Sequence, residues 1–250
     1  MAKTSGLGDN LYIAGYNASG DIQALGGIGG GPALLNMTGI DKSAYERIGG
    51  LRSGQFEMTT FFNSDPINGA THEKLSALPR TDVIMTYCRG TQLSNPAASL
   101  VAKQTNYDPT RADDGMLTFA VSAQSNGFGI EWGRQLTAGI RTDTAATNGT
   151  AVDTVAAASY GAQAYLQVFA FTGTDATVKI QDSADNVTFA DVAGLTFTQI
   201  TAGPTSERIA VANTATIRQY VRATTTTTGG FTSLAFSVNF IKNESAGVTF

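Results

Sequence analysis

Two stretches of the sequence alternate between apolar and polar residues. Over residues 55–63, one set of alternate positions holds Phe56, Met58, Thr60 and Phe62, and the other holds Gln55, Glu57, Thr59 and Asn63. Over residues 116–124, Leu117, Phe119, Val121 and Ala123 alternate with Thr118, Ser122 and Gln124. A period of two predicts β-strands that are packed on one face and solvated on the other. Neither polar set contains Lys or Arg.

The segments around these strands predict a mainly β protein. A short helix is expected over residues 71–78, with Thr71 as its cap, followed by a strand over 82–88. Residues 98–107 should form a hairpin with 116–124, and a further strand over 128–136 contains Trp132. The closely spaced strands of the C-terminal part predict a sandwich or jelly roll; they cover 165–171, 177–181, 187–192, 196–200, 207–211, 220–226 and 231–240.

Changes in composition suggest domain boundaries. Residues 1–30 are rich in Gly and poor in charge, so we expect an arm that becomes ordered on a neighbouring subunit. Residues 31–141 form the first predicted β domain. Residues 142–159 contain small residues and no aromatic, which is typical of a linker. Residues 160–250 form the second β domain, which we expect to fold alone.

Composition and charge exclude several classes of protein. The net charge of −4 provides no basic surface for gripping nucleic acid. No apolar run approaches the roughly 18 residues of a membrane span, and the N-terminus lacks the apolar segment of a secretion signal. The single cysteine, Cys88, excludes a disulfide within one chain and is expected in the core.

The sequence lacks the motifs of common enzymes, and no cofactor is expected. There is no Gly-x-Ser-x-Gly, and His72 is the one histidine. The glycine-rich run 26–31 lacks the Gly-Lys-Ser/Thr ending of a phosphate-binding loop. Asp182, Asp185 and Asp191 are weak candidates for a Ca²⁺ site, although turn formation also explains them. A glycosidase carboxylate pair stays open, because that arrangement is spatial. These absences favour a structural protein over an enzyme.

Four segments of the sequence form a recognisable set; they are AKTSGLGDNLYIAGY, IDKSAYERIGGLRSGQFEMTTFFN, LSALPRTDVIMTYCRG and DDGMLTFAVSAQSNGFGIEWGRQLTAG. Together they resemble the major tail proteins, or tail tube proteins, of long-tailed bacteriophages (siphoviruses), particularly those of actinobacterial hosts. The resemblance covers most of the chain and carries no catalytic motif. It implies a tail-tube-type β-sandwich or barrel with one short helix, followed by a C-terminal jelly-roll-like β-sandwich outside the tube.

The resemblance also implies an assembly and its partners. Six copies would form a ring, and stacked rings would form a tube for DNA ejection. The partners would be further copies of the chain and other tail proteins such as the tape measure and tail terminator, with genomic DNA passing without specific binding and no membrane contact. The location would be the virion tail, assembled in the host cytoplasm. Deleting 1–30 should then abolish long tubes but not folding, and deleting 155–250 should leave tubes intact.

The polar positions of the two alternating strands are the candidate lumen surface. In the tube interpretation these residues face the passing DNA; they are Gln55, Glu57, Thr59, Thr118, Ser122 and Gln124. The plainer interpretation is that Glu57 solubilises an outward sheet face.

The alternative function is a virion surface or decoration protein, or a β-sandwich that binds glycan. For this alternative we expect weak or no binding, because Trp132 lies outside the predicted C-terminal domain. Tyr160, Tyr165 and Tyr220 are the remaining aromatic candidates there, and core packing also explains the latter two.

Overall fold

The computed structural model describes residues 5–65 and 71–245, which form many strands and one short helix, α1 (Thr71–Leu75). The N-terminal strands are β1 (Asn10–Ile13), β2 (Tyr16–Asn17), β3 (Ile22–Gly29), β4 (Pro32–Asn36), β5 (Arg47–Arg52), β6 (Gln55–Phe61), β7 (Val83–Cys88), β8 (Pro96–Arg111) and β9 (Leu117–Ser125). The C-terminal strands are β10 (Glu131–Gln135), β11 (Arg141–Asp143), β12 (Val152–Asp153), β13 (Ala162–Gly173), β14 (Thr177–Ser183), β15 (Ala190–Thr196), β16 (Thr205–Ala210), β17 (Tyr220–Thr226) and β18 (Phe231–Lys242). The prediction of a mainly β protein is confirmed.

The chain divides into two compact units that each combine distant segments. Unit 1 contains residues 1–20, 84–99 and 131–250, and unit 2 contains residues 21–83 and 100–130. Residues 1–4, 66–70 and 246–250 lie outside the described part. These units do not coincide with the predicted arm, first domain, linker and second domain. The reason is that strand pairing, which composition does not report, joins segments far apart in sequence.

Unit 1 contains a β-sandwich. One sheet has the strand order β16-β13-β18-β10, continues through residues 96–99 of β8 to β7, β1 and β2, and has β11 paired to β18. The other sheet has the order β12-β17-β14-β15. Leu166 and Phe236 from the first sheet and Ile180 and Val221 from the second are buried in one apolar cluster. The predicted C-terminal sandwich is therefore present, but it needs strands from outside 160–250.

The opposite face of the first sheet is buried and polar. Gln167 of β13 donates from Nε2 to the Ile84 carbonyl (3.1 Å) and accepts at Oε1 from the Gly15 backbone N–H (2.7 Å). Asn239 of β18 donates to Ser99 Oγ at 2.8 Å. Because each contact joins a different strand of unit 1, the interior fixes how β1, β7 and β8 lie against β13 and β18.

The residues predicted to form an arm include strands of both units and part of the core of unit 1. Leu11, Tyr12 and Ile13 of β1 are buried, and β1 pairs with β7 in antiparallel register. Strand β3 pairs with β6. Deleting 1–30 would remove these buried residues and both pairings, so we now expect the deletion to destabilise the fold. Short apolar runs such as Leu11–Ile13 are easily underestimated in a glycine-rich context.

The predicted linker is also part of unit 1. Asp143 ends β11, and Val152 of β12 is buried and pairs with Val221 of β17. Arg141 forms an ion pair with Asp143, with 2.6 Å between Nη2 and Oδ2. The small residues of 142–159 let this segment pass close to the sheet that contains β12 and β17. Their composition, which is typical of a linker, therefore does not mark a domain boundary. Deleting 155–250 would also remove β18, the partner of β10 and β11.

Unit 2 is an antiparallel sheet with the order β3-β6-β9 and residues 100–111 of β8. Its inner face holds Phe56, Met58, Phe119 and Val121, all buried. Helix α1 begins at Thr71 as predicted but ends at Leu75, which is buried; the predicted extension to residue 78 is absent.

Strands β4 and β5 of unit 2 form a separate two-stranded hairpin. Both strands are exposed along almost their whole length. The glycine-rich run before it is no phosphate loop: Gly26–Gly29 lie in β3, and Gly30 turns towards β4. A Cβ at Gly30 would lie 2.2 Å from the Ser53 carbonyl oxygen, so this close approach requires glycine.

Candidate functional site

The six predicted lumen residues lie together on the outer face of the unit 2 sheet. Directly opposed residues of antiparallel strands share a face. The register pairs Gln55 with Gln124 and Glu57 with Ser122. It also pairs Thr59 with Ala120, and Phe61 with Thr118. We call the surface formed by Gln55, Glu57, Thr59, Thr118, Ser122 and Gln124 the polar face. Gln124 Nε2 donates to Gln55 Oε1 at 3.3 Å, which links the two strands across it.

The inner side of the same two strands is a packed core, so the polar face has a rigid support. Gln104 of β8 is buried there and donates from Nε2 to the carbonyl of Leu75 in α1 at 2.7 Å. The predicted alternation of β6 is confirmed for Phe56, Met58 and Thr60, which are buried. Phe62 follows the end of β6 at Phe61; its ring stacks on Phe119 with 5.8 Å between centroids, but the residue is 43% exposed.

Strand β8 extends the polar face with residues that the sequence did not indicate. Lys103 lies opposite Gln124, Asn106 opposite Ser122, and Asp108 opposite Ala120. A bulge at Thr105 shifts the register between Gln104 and Asn106. Because a bulge reverses which alternate residues share a face, simple parity along β8 gives the wrong set beyond the bulge.

The cation that β8 brings to this face is paired. Lys103 Nζ lies 2.8 Å from Asp82 Oδ1 and donates to the Arg80 carbonyl at 2.6 Å. The hydrogen bond from Lys103, followed by one from Asn126, lowers the pKa of Asp82. Lys103 is thus engaged by Asp82, and Glu57 and Asp108, two carboxylates of the outer face, form no ion pair with any residue in 5–65 or 71–245.

His72 has a packing role in unit 2. Its Nδ1 lies 3.1 Å from the Tyr107 hydroxyl, and its ring contacts Phe62 with 4.8 Å between centroids. Tyr107 in turn stacks on Phe119 at 4.2 Å. This aromatic cluster closes the helix end of the unit 2 core. The histidine is therefore half-buried and packs against aromatic rings.

The three candidate Ca²⁺ ligands have separate partners. Asp182 forms an ion pair with Arg218, with 2.5 Å between Oδ1 and Nη2. Asp185 accepts the backbone N–H groups of Val187 and Thr188, as a turn-forming aspartate does. Asp191 accepts from Lys179 and Gln181. Among residues 5–65 and 71–245, no three His, Cys, Asp or Glu side chains are grouped so as to hold a metal ion.

Two further sets of titratable groups in the described residues are buried in unit 1. Burial raises the pKa of the Cys88 thiol to about 12, so it remains a protonated core residue. Glu131, Tyr165 and Arg208 form a buried cluster in unit 1 in which each group satisfies the others. None of the helices in the described residues is long and apolar enough to cross a membrane.

Comparison with known proteins gave distant structural similarities. No protein-family model and no curated protein matches the sequence. One similar structure is the Dit protein of phage SPP1, described as a paradigm of the hub adsorption apparatus in phages that infect Gram-positive bacteria. It has a TM-score of 0.36 and 12% identity, covering 94% of this chain and 99% of that chain.

Two further similar structures are chains of the phage P2 baseplate in its activated conformation. The structure with Ca has a TM-score of 0.31 and 12% identity, and the structure with Sr has a TM-score of 0.30 and 11% identity. Each covers 94% of this chain and 99% of that chain. At TM-scores this low, the similarity carries no conclusion about function.

Proposed function

We propose that this protein is a structural subunit of a bacteriophage tail that assembles into stacked rings, and that these rings form a tube for DNA ejection. The polar face is the observation that carries the proposal. Six residues selected from two separate stretches by their alternation lie side by side on one rigid sheet. These residues lie in two of the four sequence segments that resemble tail tube proteins, and that resemblance gives them a role as the lining of the tube.

The chemistry of the polar face suits a conduit for DNA. The six residues of the polar face present amides, hydroxyls and a carboxylate and offer phosphate groups no cation, and Lys103 beside them is engaged by Asp82. DNA therefore gains no free energy of counterion release by contacting such a wall and is free to slide. If the ring is hexameric, Glu57 places six carboxylates around the channel at one level.

Two further features of unit 2 support self-assembly. Strand β3 pairs with β6 and with no other strand of the described residues, so its second edge is open for a strand from another subunit. The β4–β5 hairpin exposes large apolar side chains, including Leu34 (69%) and Leu51 (89%). An isolated two-stranded hairpin is marginally stable in water, and exposed apolar patches mark interaction surfaces. A second copy of the chain is the partner that a stacked ring provides for both.

The partners in the virion follow from this role. Other copies form the ring and the stacking contacts, and other tail proteins such as the tape measure and the tail terminator are the further partners. DNA passes without specific binding.

Electron microscopy of the purified full-length protein in negative stain tests the proposal. We expect rings, and at higher protein concentration tubes of stacked rings. Particles that remain monomeric at every concentration, with no rings in images or by mass measurement, would contradict self-assembly. Closed rings that never stack would support ring formation but contradict the proposal that the rings form a tube.

A further inference from the structure

A depression in unit 1 surrounds the single tryptophan of the sequence. It has a volume of about 260 Å³ and is lined by Pro96, Trp132, Arg134, Thr154, Lys242 and Glu244, among others. Every one of these residues belongs to unit 1. The sequence separates Trp132 from the predicted C-terminal domain, but the structure pairs its strand β10 with β18 of that domain.

The local sequence of β10 explains why the tryptophan is exposed. Glu131 and Gln135 are buried, whereas Trp132 and Arg134, two residues apart, are exposed on the other face. Gly133 lies between them, where a Cβ would be 2.2 Å from the Phe240 carbonyl oxygen. Glycine thus lets β18 approach β10 and leaves the indole beside an open hollow. Trp132 is 51% exposed, which is unusual for a residue that normally buries most of its surface.

The far wall of the depression is built by a buried lysine. The side chain of Lys242 is 3% exposed, and its ammonium donates to the Thr154 carbonyl and hydroxyl, each at 3.0 Å, and to the Ala156 carbonyl at 2.5 Å. These bonds fix the segment 154–156 against β18. The same ammonium lies 3.3 Å from Oε1 of Glu244, whose side chain is 71% exposed. The lysine therefore holds a carboxylate at the rim.

Polar groups of both kinds surround the indole. Arg134 is exposed and donates from Nη1 to Ser94 Oγ at 3.2 Å, which leaves other guanidinium N–H groups for a ligand. Glu244 supplies acceptors. A sugar ring matches this combination, because it has a face of C–H groups that can cover an indole and a rim of hydroxyls that both donate and accept. A neutral sugar uses both the donors of Arg134 and the acceptors of Glu244, whereas a phosphate group would use the donors alone.

We propose that this depression, the Trp132 site, binds a neutral saccharide, with the sugar face on Trp132 and its hydroxyls bonded to Arg134 and Glu244. This activity is separate from tube formation, because all of its residues are in unit 1 and the polar face is in unit 2. It reverses the expectation of weak or no glycan binding. That expectation rested on placing Trp132 outside the C-terminal domain, but the structure places it in unit 1 together with the C-terminal strands. Tyr165, one of the other aromatic candidates for a sugar site, is buried.

Tryptophan fluorescence of the full-length protein tests this proposal directly, because Trp132 is the only tryptophan in the sequence. Short oligosaccharides of glucose, galactose and N-acetylglucosamine are titrated separately. We expect a saturable change in emission with at least one of them. Calorimetry with that sugar should show affinity reduced about tenfold or more in Trp132→Ala, and about tenfold in Glu244→Gln. Tyr45→Ala, which removes another exposed aromatic, should leave the affinity unchanged.

Three results would overturn the proposal. They are no saturable response to any of the three sugars, sugar binding that Trp132→Ala leaves unchanged, and a response to adenosine monophosphate without one to sugar. Far-ultraviolet circular dichroism of each variant checks that the fold is intact. Because the titration does not depend on oligomeric state, its failure is distinguishable from a failure of ring formation.

Discussion

Glu57 is the residue at which the proposed role of the polar face is most open to test. It lies on the outer face of β6, opposite Ser122, with Gly27 of β3 on its other side. Replacing Glu57 with lysine adds one cation per subunit where the account requires an anion. In phage carrying Glu57→Lys we expect DNA ejection to be slower and more dependent on salt, because each lysine gains free energy from counterion release on contact with phosphate.

The matched control is Asp113→Lys, which makes the same change of charge in an exposed turn of unit 2. Tube assembly should be little affected in both variants. If ejection by Glu57→Lys phage at low salt is as fast as that of the parent, Glu57 does not face the passage.

The buried ion pair between Glu131 and Arg208 contributes to the stability of unit 1. Arg208 Nε and Nη2 each lie 2.9 Å from a Glu131 carboxylate oxygen, and the Tyr165 hydroxyl also donates to that carboxylate. Burial, and then the adjacent Glu131 charge, raise the pKa of Tyr165, so its hydroxyl stays protonated. Arg208→Met leaves an uncompensated buried carboxylate. We expect the free energy of unfolding of unit 1 to fall by about 3 kcal/mol or more.

Urea denaturation followed by circular dichroism measures this loss. The double variant Glu131→Leu/Arg208→Met removes both charges and should recover much of the stability. A single variant Arg208→Met whose unfolding midpoint equals that of the parent would show that Glu131 finds another partner.

Asp175 should make the free energy of unfolding depend on pH. Its carboxylate accepts the backbone N–H of Thr228 and then that of Gly229, along with side-chain donors, and these bonds lower its pKa to about 2. An unfolded aspartate has a pKa of roughly 3.9. The stabilisation is therefore complete above the unfolded pKa and is lost as the pH falls towards 2.

In Asp175→Asn, the urea midpoint should be lower than that of the parent at neutral pH, and the two should converge as the pH falls from about 4 to about 2. Asp113→Asn, in an exposed turn, serves as the comparison. A constant difference between Asp175→Asn and the parent across this range would contradict the assignment of the acid-sensitive stabilisation to this carboxylate.

At the scale of elements, the β4–β5 hairpin exposes apolar side chains that we propose are covered by another subunit on assembly. Its apolar side chains contribute little to the core of unit 2, because they are exposed in the subunit. We expect Leu34→Ser/Leu51→Ser to leave the unfolding midpoint nearly unchanged while raising the protein concentration needed for assembly. Analytical ultracentrifugation measures both the monomer and the larger species.

The control for the hairpin is Val155→Ser/Val187→Ser, which removes two exposed apolar side chains of unit 1. It should assemble like the parent. If the hairpin variant assembles at the same concentration as the parent, the exposed leucines do not lie in an interface between subunits.

The sequence predicted those elements whose periodicity is undisturbed. Strands β6 and β9 alternate cleanly, so both their faces and the six candidate residues followed from the order of residues. The bulge at Thr105 was not predictable, because no residue type there indicates that the side chains beyond it switch to the opposite face of the sheet. Residues 11–16 carry the strand signal within the predicted arm, but the burial of β1 depends on partners about seventy positions away, so its place in the core of unit 1 did not follow from the sequence.

At the scale of the whole molecule, the sequence could not predict how the units are composed. Pairing of β10 and β11 with β18 joins residues 131–143 to the C-terminal strands, and this places Trp132 in unit 1. Such long-range pairings are decided by packing of complete sheets and leave no local pattern. The two proposed functions, assembly and saccharide binding, are assigned to different units, so we expect variants in one unit to leave the function of the other unchanged.

A three-dimensional reconstruction of the assembled particles by cryo-electron microscopy tests the tube proposal most directly. The account predicts stacked rings in which β6 and β9 form the inner wall, with Glu57, Ser122 and Gln124 facing the channel and the β4–β5 hairpin covered by another subunit. A reconstruction in which the polar face lies on the outer surface, or in which Glu57 is buried between subunits, would contradict it.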